Sequence, residues 1–157
     1  MALGSNLGDR TAHLDFAISR LIHLLSEIRV STRHETMPVG VTGDQPMYLN
    51  AVVYGRTALG PHEFLRQLQA IEAERGRERP APNAPRTLDL DLILYGRMHC
   101  EDSTLSVPHP RFRERLFVLE PLAEVAPDLP DPVTGHTVRE LLRRLFVHGR
   151  PGSGRRP

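Results

Sequence analysis

The chain contains no lysine, because all 20 of its basic residues are arginine. A P-loop requires a Gly-Lys-Ser/Thr end and Schiff-base catalysis requires a lysine amine, so the sequence excludes both classes. Any phosphate binding must therefore depend on guanidinium groups, which hold phosphate oxygens two at a time.

Cysteine is represented only by Cys100, and tryptophan is absent. A single cysteine cannot form an internal disulfide, and no Cys/His group along the sequence has zinc-finger spacing. The first residues lack the basic and apolar regions of a signal peptide, and no apolar run reaches membrane-spanning length. We therefore expect a cytoplasmic protein with no membrane partner.

The charge is nearly balanced, with 20 basic and 19 acidic residues in 157, so nothing global favours nucleic acid. At this length, with 39% hydrophobic residues, we expect one domain with a sizeable core. The domain is predicted over residues 1–148. Residues 149–157 have nothing apolar to bury except proline and are predicted to be a disordered basic tail.

The segment 85–95 places two acids in the pattern of a buried strand. Because strand side chains alternate, residues two apart share a face roughly 7 Å apart. The acids Asp89 and Asp91 then occupy one face, and four leucines the other: Leu88, Leu90, Leu92 and Leu94. Two carboxylates so placed repel each other and resist desolvation, which magnesium bridged to phosphate would relieve. The alternative is that each acid pairs with an arginine, Arg86 first.

Arginines are concentrated on both sides of this segment, and together they could hold a polyphosphate. They are Arg77, Arg79, Arg86, Arg111, Arg113 and Arg115. For Arg79, Arg86 and Arg115 we favour phosphate binding. For Arg111 and Arg113 we favour exposed ion pairs, which contribute little stability.

Two other patterns indicate contacts with a substrate. His109 lies between two prolines that restrict its backbone, and it could donate to a phosphate or protonate a leaving group. A histidine packed in a loop explains the same pattern equally well. Tyr48 and Asn50 are two apart and could stack on and hydrogen-bond a flat heteroaromatic ring, although Tyr48 alone is more often a core residue.

The hydrophobic periodicity predicts the order β-α-β-β-α-β followed by two more helices. The predicted helices cover residues 10–28, 61–75, 112–124 and 137–146. The first predicted strand ends at residue 3, and the others cover 29–36, 48–57 and 88–95. This order is typical of the α+β class, with a ferredoxin-like antiparallel sheet, helices packed on it and a C-terminal helical extension. The polar loops 37–46 and 77–86 are long enough to move.

Together these motifs resemble the 6-hydroxymethyl-7,8-dihydropterin pyrophosphokinases of folate biosynthesis. The matching blocks are ALGSNLGD at 2–9, DQPMYLNA at 44–51, IE at 71–72, GRER at 76–79, PRTLDLDLI at 85–93, VPH at 107–109 and RLFVLEPL at 115–122. They follow the family's order, and the block at 85–93 is highly specific.

The resemblance implies transfer of pyrophosphate from ATP to the pterin hydroxymethyl oxygen, with release of AMP. It implies that Asp89 and Asp91 ligate two magnesium ions, and that Arg86, Arg79 and His109 share in catalysis. The implied ATP contacts are Gln69, Glu72, Arg77, Arg79, Arg86, Leu92, Ser106, His109 and Arg115. The implied pterin contacts are Thr36, Pro38, Val39, Tyr48, Asn50 and Phe117, with the rings of Tyr48 and Phe117 on either side of the pterin.

Two alternatives of other classes stay open: a ferredoxin-like module that binds nucleic acid, and a relative that binds pterin without catalysis. Without the tail, 17 arginines stand against 19 acidic residues, and this net charge of −2 repels nucleic-acid phosphates. We therefore expect ATP and the pterin as partners, with no nucleic acid, and a chain that is a monomer or weak homodimer.

Overall fold

A computed structural model describes residues 1–39, 44–76 and 84–148, with the side chain of the last residue left out. Parts of both predicted moving loops, residues 40–43 and 77–83, and the predicted basic tail over 149–157 lie outside the described residues. Within the described ranges, no helix is both long and apolar enough to cross a lipid bilayer.

An antiparallel sheet forms the centre of the fold. Its strands are β1 (Ala2–Ser5), β2 (Ser26–Val30), β3 (His34–Thr36), β4 (Tyr48–Arg56) and β5 (Asp89–Asp91). They lie in the order β2-β4-β1-β5, and β3 pairs with the first residues of β4 while β2 pairs with the last. A separate hairpin contains β6 (Cys100–Glu101) and β7 (Ser106–Val107).

The described residues form four α-helices: α1 (Arg10–Leu21), α2 (Pro61–Glu74), α3 (Leu116–Val125) and α4 (Val138–His148). The first three pack on the sheet, and α4 packs on α3. A short 3-10 turn, Phe112–Glu114, precedes α3. The antiparallel sheet with these helices confirms the predicted α+β class.

The sheet separates two hydrophobic cores. Ala51 and Val53 of β4 pack with residues of α1 and α2 on one face, whereas Val52 packs with α3 and α4 on the other. This division follows from the alternation of side chains along an extended strand. The middle of β4, from Leu49 to Val53, is therefore buried on both faces, whereas Arg56 at its end is exposed.

The predicted start of the first helix is confirmed, but its predicted end at residue 28 is wrong. Asp9 caps α1, because its side chain accepts a hydrogen bond from the Ala12 amide at 3.0 Å. The helix ends at Leu21 and β2 begins at Ser26. Leu25 and Ile28 pack on the same core as the helix, so the apolar spacing continues after the helical backbone has ended.

The predicted acidic strand is also shorter than expected, because β5 contains only Asp89–Asp91. Leu88, Leu90 and Leu92 are buried under α2, as the alternation predicts. The next two residues, Ile93 and Leu94, both pack against the core formed by α3 and α4. Two consecutive side chains on one side show that extended structure has ended, so the prediction of a strand to residue 95 is wrong.

The prediction of an exposed ion pair for Arg113 is wrong as well. Its guanidinium donates two hydrogen bonds, at 2.6 and 2.7 Å, to the carboxylate of Asp131, whose side chain is 0% exposed. This pair connects the 3-10 turn to the loop between α3 and α4. Sequence spacing gave no sign of it, because the two residues are brought together only by the packing of those helices.

Candidate functional site

Four backbone positions form a row across the sheet. Gly4 pairs with Asp89 on one side and with Asn50 on the other, and Asn50 pairs in turn with His34. Residues paired in register share a face of the sheet. Because neighbouring strands lie about 4.8 Å apart, the backbones of Asp89 and Asn50 are about 10 Å apart. The row therefore places a predicted metal ligand and a predicted pterin-binding amide on one surface.

Gly4 has no side chain in the middle of this row, and its neighbours leave little room for one. A Cβ atom added to Gly4 would lie 3.0 Å from Asn50 Oδ1 and 3.6 Å from Tyr48 Cδ1. Asn50 Nδ2 also donates to Thr36 Oγ1 at 2.6 Å. Two predicted pterin contacts, Tyr48 and Asn50, thus lie next to a position without a side chain, and a third, Thr36, is hydrogen-bonded to Asn50. Sequence reasoning assigned no separate role to this glycine.

Arg86 lies beside the acid pair. Its Nη1 atom donates to Asp89 Oδ2 at 2.7 Å, and the two side chains are 28% and 16% exposed. Burial disfavours the charged guanidinium, but Asp89 outweighs this effect, so the pKa of Arg86 lies above its usual value. This is the pairing that the arginine alternative predicts for Asp89. It also holds next to a potential metal ligand a cation that could bind phosphate.

The donor set of Asp89 and Asp91 suits magnesium. Carboxylate oxygens are the hard ligands that magnesium prefers, and β5 presents both side chains on one face. Arg86 and Arg115 are both electrostatically coupled to the two acids. Such guanidinium groups could bind the phosphate oxygens that magnesium leaves uncovered.

A cleft of about 260 Å³ opens beside β5. Its lining includes five residues predicted to contact the nucleotide, Gln69, Glu72, Leu92, Ser106 and His109, together with the predicted metal ligand Asp91. One wall is formed by α2 and another by the β6–β7 hairpin. The cleft therefore brings together residues from elements that are far apart in the sequence, with one of the two acids among them.

Glu72 fixes the backbone of the acidic strand. The residue is 3% exposed, and its Oε1 atom accepts a hydrogen bond from the Leu90 amide at 2.7 Å. Leu90 lies between the two aspartates. A carboxylate acceptor makes a stronger bond than a neutral one, so Glu72 holds β5 against α2 in addition to lining the cleft.

His109 is held as a neutral hydrogen-bond donor. Its Nδ1 atom accepts from the Arg111 amide at 3.2 Å, which leaves the ring proton on Nε2. Burial, and then the charges of Arg115 and Arg111, lower the pKa of His109 to about 4. In the chain without ligands, the imidazole at neutral pH can therefore donate to a phosphate from Nε2.

Arg115 and Phe117 connect α3 to the same surface. Burial, and then Arg111, lower the pKa of Arg115, whereas Asp91 and Asp89 act in the opposite direction. The Arg115 Cζ atom lies 5.4 Å from the centre of the Phe117 ring. The predicted phosphate-binding arginine and the predicted pterin-stacking ring are thus neighbours at the start of one helix.

Four predicted contacts are not part of this geometry. Arg77 and Arg79 lie outside the described residues. Val39 is 77% exposed on the loop after β3, and Pro38 beside it is half-buried. Their roles stay predictions.

The family model for 7,8-dihydro-6-hydroxymethylpterin-pyrophosphokinase matches residues 1–127. The chain belongs to this family. Its membership confirms the resemblance seen in the sequence and the predicted enzyme class, a pterin pyrophosphokinase.

The chain is similar both to proteins that it covers almost fully and to a protein that is much longer. The 2-amino-4-hydroxy-6-hydroxymethyldihydropteridine pyrophosphokinase of Bacillus subtilis (strain 168) is 45% identical over 137 residues, covering 85% of this chain and 81% of that protein. The enzyme of the same name from Methylorubrum extorquens is 44% identical over 152 residues, covering 95% and 94%. The folic acid synthesis protein fol1 of Pneumocystis carinii is 38% identical over 149 residues, or 94% of this chain. The chain spans only 20% of that fungal protein.

Asn6 connects two loops that border the candidate site, a role that sequence reasoning missed. The residue is 1% exposed, and its Oδ1 atom accepts from the Arg86 amide at 2.8 Å. Its Nδ2 atom donates to the Pro46 carbonyl at 3.3 Å. The signal available in the sequence was a polar amide directly after a strand, at a position where a buried side chain must find hydrogen-bond partners.

Proposed function

We propose that the chain transfers pyrophosphate from ATP to the hydroxymethyl oxygen of 6-hydroxymethyl-7,8-dihydropterin and releases AMP. The observation that carries this proposal is the register of the sheet, in which Gly4 separates Asp89 from Asn50. A flat ring above Gly4 could bind Asn50 and still present its substituent towards the acid pair. Donor and acceptor would then meet on one surface.

In this proposal the chain positions the substrates and neutralises phosphate charge. Asp89 and Asp91 would hold two magnesium ions, which when bound supply positive charge to the phosphates of an in-line displacement. Arg86 and Arg115, with Arg77 and Arg79, bind phosphate oxygens, and neutral His109 donates from Nε2. Because AMP leaves, the breaking bond joins the β-phosphorus to the oxygen bridging it to the α-phosphate, and the pterin hydroxyl loses its proton.

For the pterin, we propose a site between the rings of Tyr48 and Phe117. Thr36 and Asn50 hydrogen-bond to the edge of the pterin ring, a role supported by the 2.6 Å hydrogen bond that places these two side chains together. Pro38 and Val39 complete the site from the loop after β3. For the adenine and ribose, Gln69, Glu72, Leu92 and Ser106 are the proposed contacts, supported by their place in the cleft.

We also propose that residues 1–148 form a single ferredoxin-like domain, with α3 and α4 as its extension. The strand order supports this, since β2 and β3 together occupy the position of one edge strand in the βαββαβ arrangement. We further propose that the protein acts in the cytoplasm, as a monomer or weak homodimer, without nucleic acid as a partner.

The test of the proposed function is a product assay with magnesium, ATP and 6-hydroxymethyl-7,8-dihydropterin. AMP and the pterin diphosphate are expected in equal amounts. Formation of ADP would mean a different phosphoryl transfer, and absence of nucleotide consumption would favour binding without catalysis.

Replacing Gly4 by alanine should weaken pterin binding. The new methyl group would lie 3.0 Å from Asn50 Oδ1, closer than real Cβ contacts usually come, and would fill the space above the row. We expect the KM for the pterin to rise by about tenfold, the order of 1.4 kcal/mol, while the KM for ATP changes little. Initial-rate kinetics with each substrate varied in turn measure both values.

Gly60→Ala is the matched control, because a Cβ at Gly60 meets no atom within 4 Å and its φ of −65° suits any residue. Both KM values should stay unchanged in this variant. Equal effects of Gly4→Ala on the two substrates would contradict a pterin site above Gly4.

Binding of magnesium-ATP should be accompanied by proton uptake at His109 in mildly acidic solution. Without ATP, the pKa of His109 is about 4. A bound triphosphate raises this pKa, since negative charge favours the imidazolium. Protons are therefore taken up at pH values between the free and the bound pKa. Calorimetric titrations in buffers of different ionisation enthalpy measure this uptake. The His109→Gln variant should take up fewer protons than the wild type when magnesium-ATP binds. Identical proton uptake in the two proteins would contradict the placement of His109 in the phosphate site.

A further inference from the structure

A second group of side chains with metal-binding chemistry lies apart from the acid pair. It consists of His62 in the first turn of α2, Cys100 in β6 and Asp102 just after β6. One ligand atom from each lies within 4.8 Å of the other two. His62 Nε2 is 2.7 Å from Asp102 Oδ2, and Cys100 Sγ is 3.6 Å from the same oxygen. Imidazole, thiol and carboxylate thus form one cluster.

The carboxylate of Asp102 is held in place before any metal binds. Its Oδ1 atom accepts hydrogen bonds from the Thr104 amide at 2.8 Å, the Thr104 hydroxyl at 2.9 Å and the Leu105 amide at 2.8 Å. These bonds orient Oδ2 towards the histidine and the cysteine. A ligand fixed by such outer contacts loses little freedom when a metal binds.

The distances and donor types suit a tetrahedral transition metal better than magnesium. Zinc binds nitrogen, sulfur and oxygen at about 2.0 to 2.3 Å, which places neighbouring ligand atoms about 3.3 to 3.7 Å apart. The separation of Cys100 from Asp102 already lies in this range. The separation of His62 from Asp102 must increase by less than 1 Å, and both side chains, 46% and 40% exposed, have room to move.

We propose that His62, Cys100 and Asp102 bind one zinc-class ion, with water as the fourth ligand. The ion displaces the thiol proton of Cys100, which is released to solvent. The site ties the β6–β7 hairpin to the beginning of α2. Ser106 of this hairpin and Gln69 of α2 both line the nucleotide cleft, so the ion stabilises two walls of the cleft from outside it.

Titration with cobalt(II) tests the site directly. Because Cys100 is the single cysteine of the chain, a thiolate-to-cobalt absorption band in the near ultraviolet can arise only from this residue. The titration is made with excess magnesium, which occupies the acid pair, and with a reductant that contains no thiol. We expect a band that saturates at one cobalt per chain and disappears on addition of zinc.

Variants of the ligands decide between a three-residue site and a lone thiol. Cys100→Ser should abolish the band, and His62→Gln and Asp102→Asn should each weaken cobalt binding by at least about tenfold. His99→Gln is the matched control, because His99 is exposed and adjacent to Cys100 but not part of the group. It should leave cobalt affinity unchanged.

Zinc should also raise the melting temperature of the wild-type chain and not that of Cys100→Ser, since binding to the folded state stabilises it by mass action. Absence of the cobalt band in the wild type would overturn the proposal. A band of full affinity in both His62→Gln and Asp102→Asn would overturn it too, because it would show a thiol binding metal alone.

Discussion

Replacing Asp91 by asparagine is expected to lower kcat by about a thousandfold, with the fold intact. The change keeps the shape of the side chain but removes the charge that would hold magnesium beside the cleft next to β5. Asp91 is half-buried at the end of the short strand β5, so the amide can be accommodated there. AMP release measures the activity, and urea unfolding shows whether stability is kept.

Asp128→Asn provides the control for this prediction. Asp128 is 80% exposed, pairs with Arg139 at 3.2 Å and is remote in the sequence from the acid pair. Its replacement should leave turnover unchanged. Near-normal activity of Asp91→Asn would refute the assignment of this residue as a magnesium ligand, and Asp89→Asn would then be the variant to measure next.

The largest loss of stability is expected from Asp131→Ala. The carboxylate is 0% exposed and accepts two hydrogen bonds from Arg113 and one from Thr134 Oγ1 at 2.6 Å. Removing one partner of a buried pair leaves the other charge without compensation, which costs about 3–5 kcal/mol. Because domains are stable by only about 5–15 kcal/mol, the midpoint of urea unfolding should fall markedly.

This contribution should also depend on pH. Burial alone raises the pKa of Asp131, but Arg113 and Thr134 outweigh it and lower the pKa to about 2. The folded pKa is thus below the unfolded value of about 3.9, so the contribution is complete above about pH 4 and is lost as the pH falls towards 2. Asp131→Ala should lack this part of the pH dependence.

The exposed pair Arg139–Asp128 again supplies the comparison, since exposed pairs contribute about 0–1 kcal/mol. Asp128→Ala should therefore change the free energy of unfolding little. If Asp131→Ala and Asp128→Ala lost the same stability, the pair with Arg113 would have no special role in the fold.

The local sequence pattern predicted secondary structure correctly where a single signal, such as strand alternation or a helix cap, was present. The acids of β5 and the buried leucines beside them follow from strand alternation, and the start of α1 follows from Asp9. The apolar pattern gave a wrong element boundary where buried apolar residues continue beyond the end of a helix. Ile28 packs on the helical core from a strand, so apolar spacing could not reveal where α1 ends.

Two of the groupings that sequence reasoning missed are products of tertiary packing. Arg113 was expected at the surface, yet the loop between α3 and α4 brings Asp131 to it. No zinc-like spacing links His62 to Cys100, and the two meet because the hairpin folds back beside α2. Side chains distant in the sequence give no periodic signal, whatever their chemistry.

The sequence by itself determined the kind of chemistry, because a paired carboxylate, an all-arginine cationic set and a specific motif are readable from residue types and near neighbours. Tertiary structure alone decided how these groups meet. Pairing across β1 places Gly4 between Asp89 and Asn50, and packing of α2 against β5 brings Glu72 to the Leu90 amide. The physical reason is that register and helix packing depend on the whole core, and no local segment contains that information.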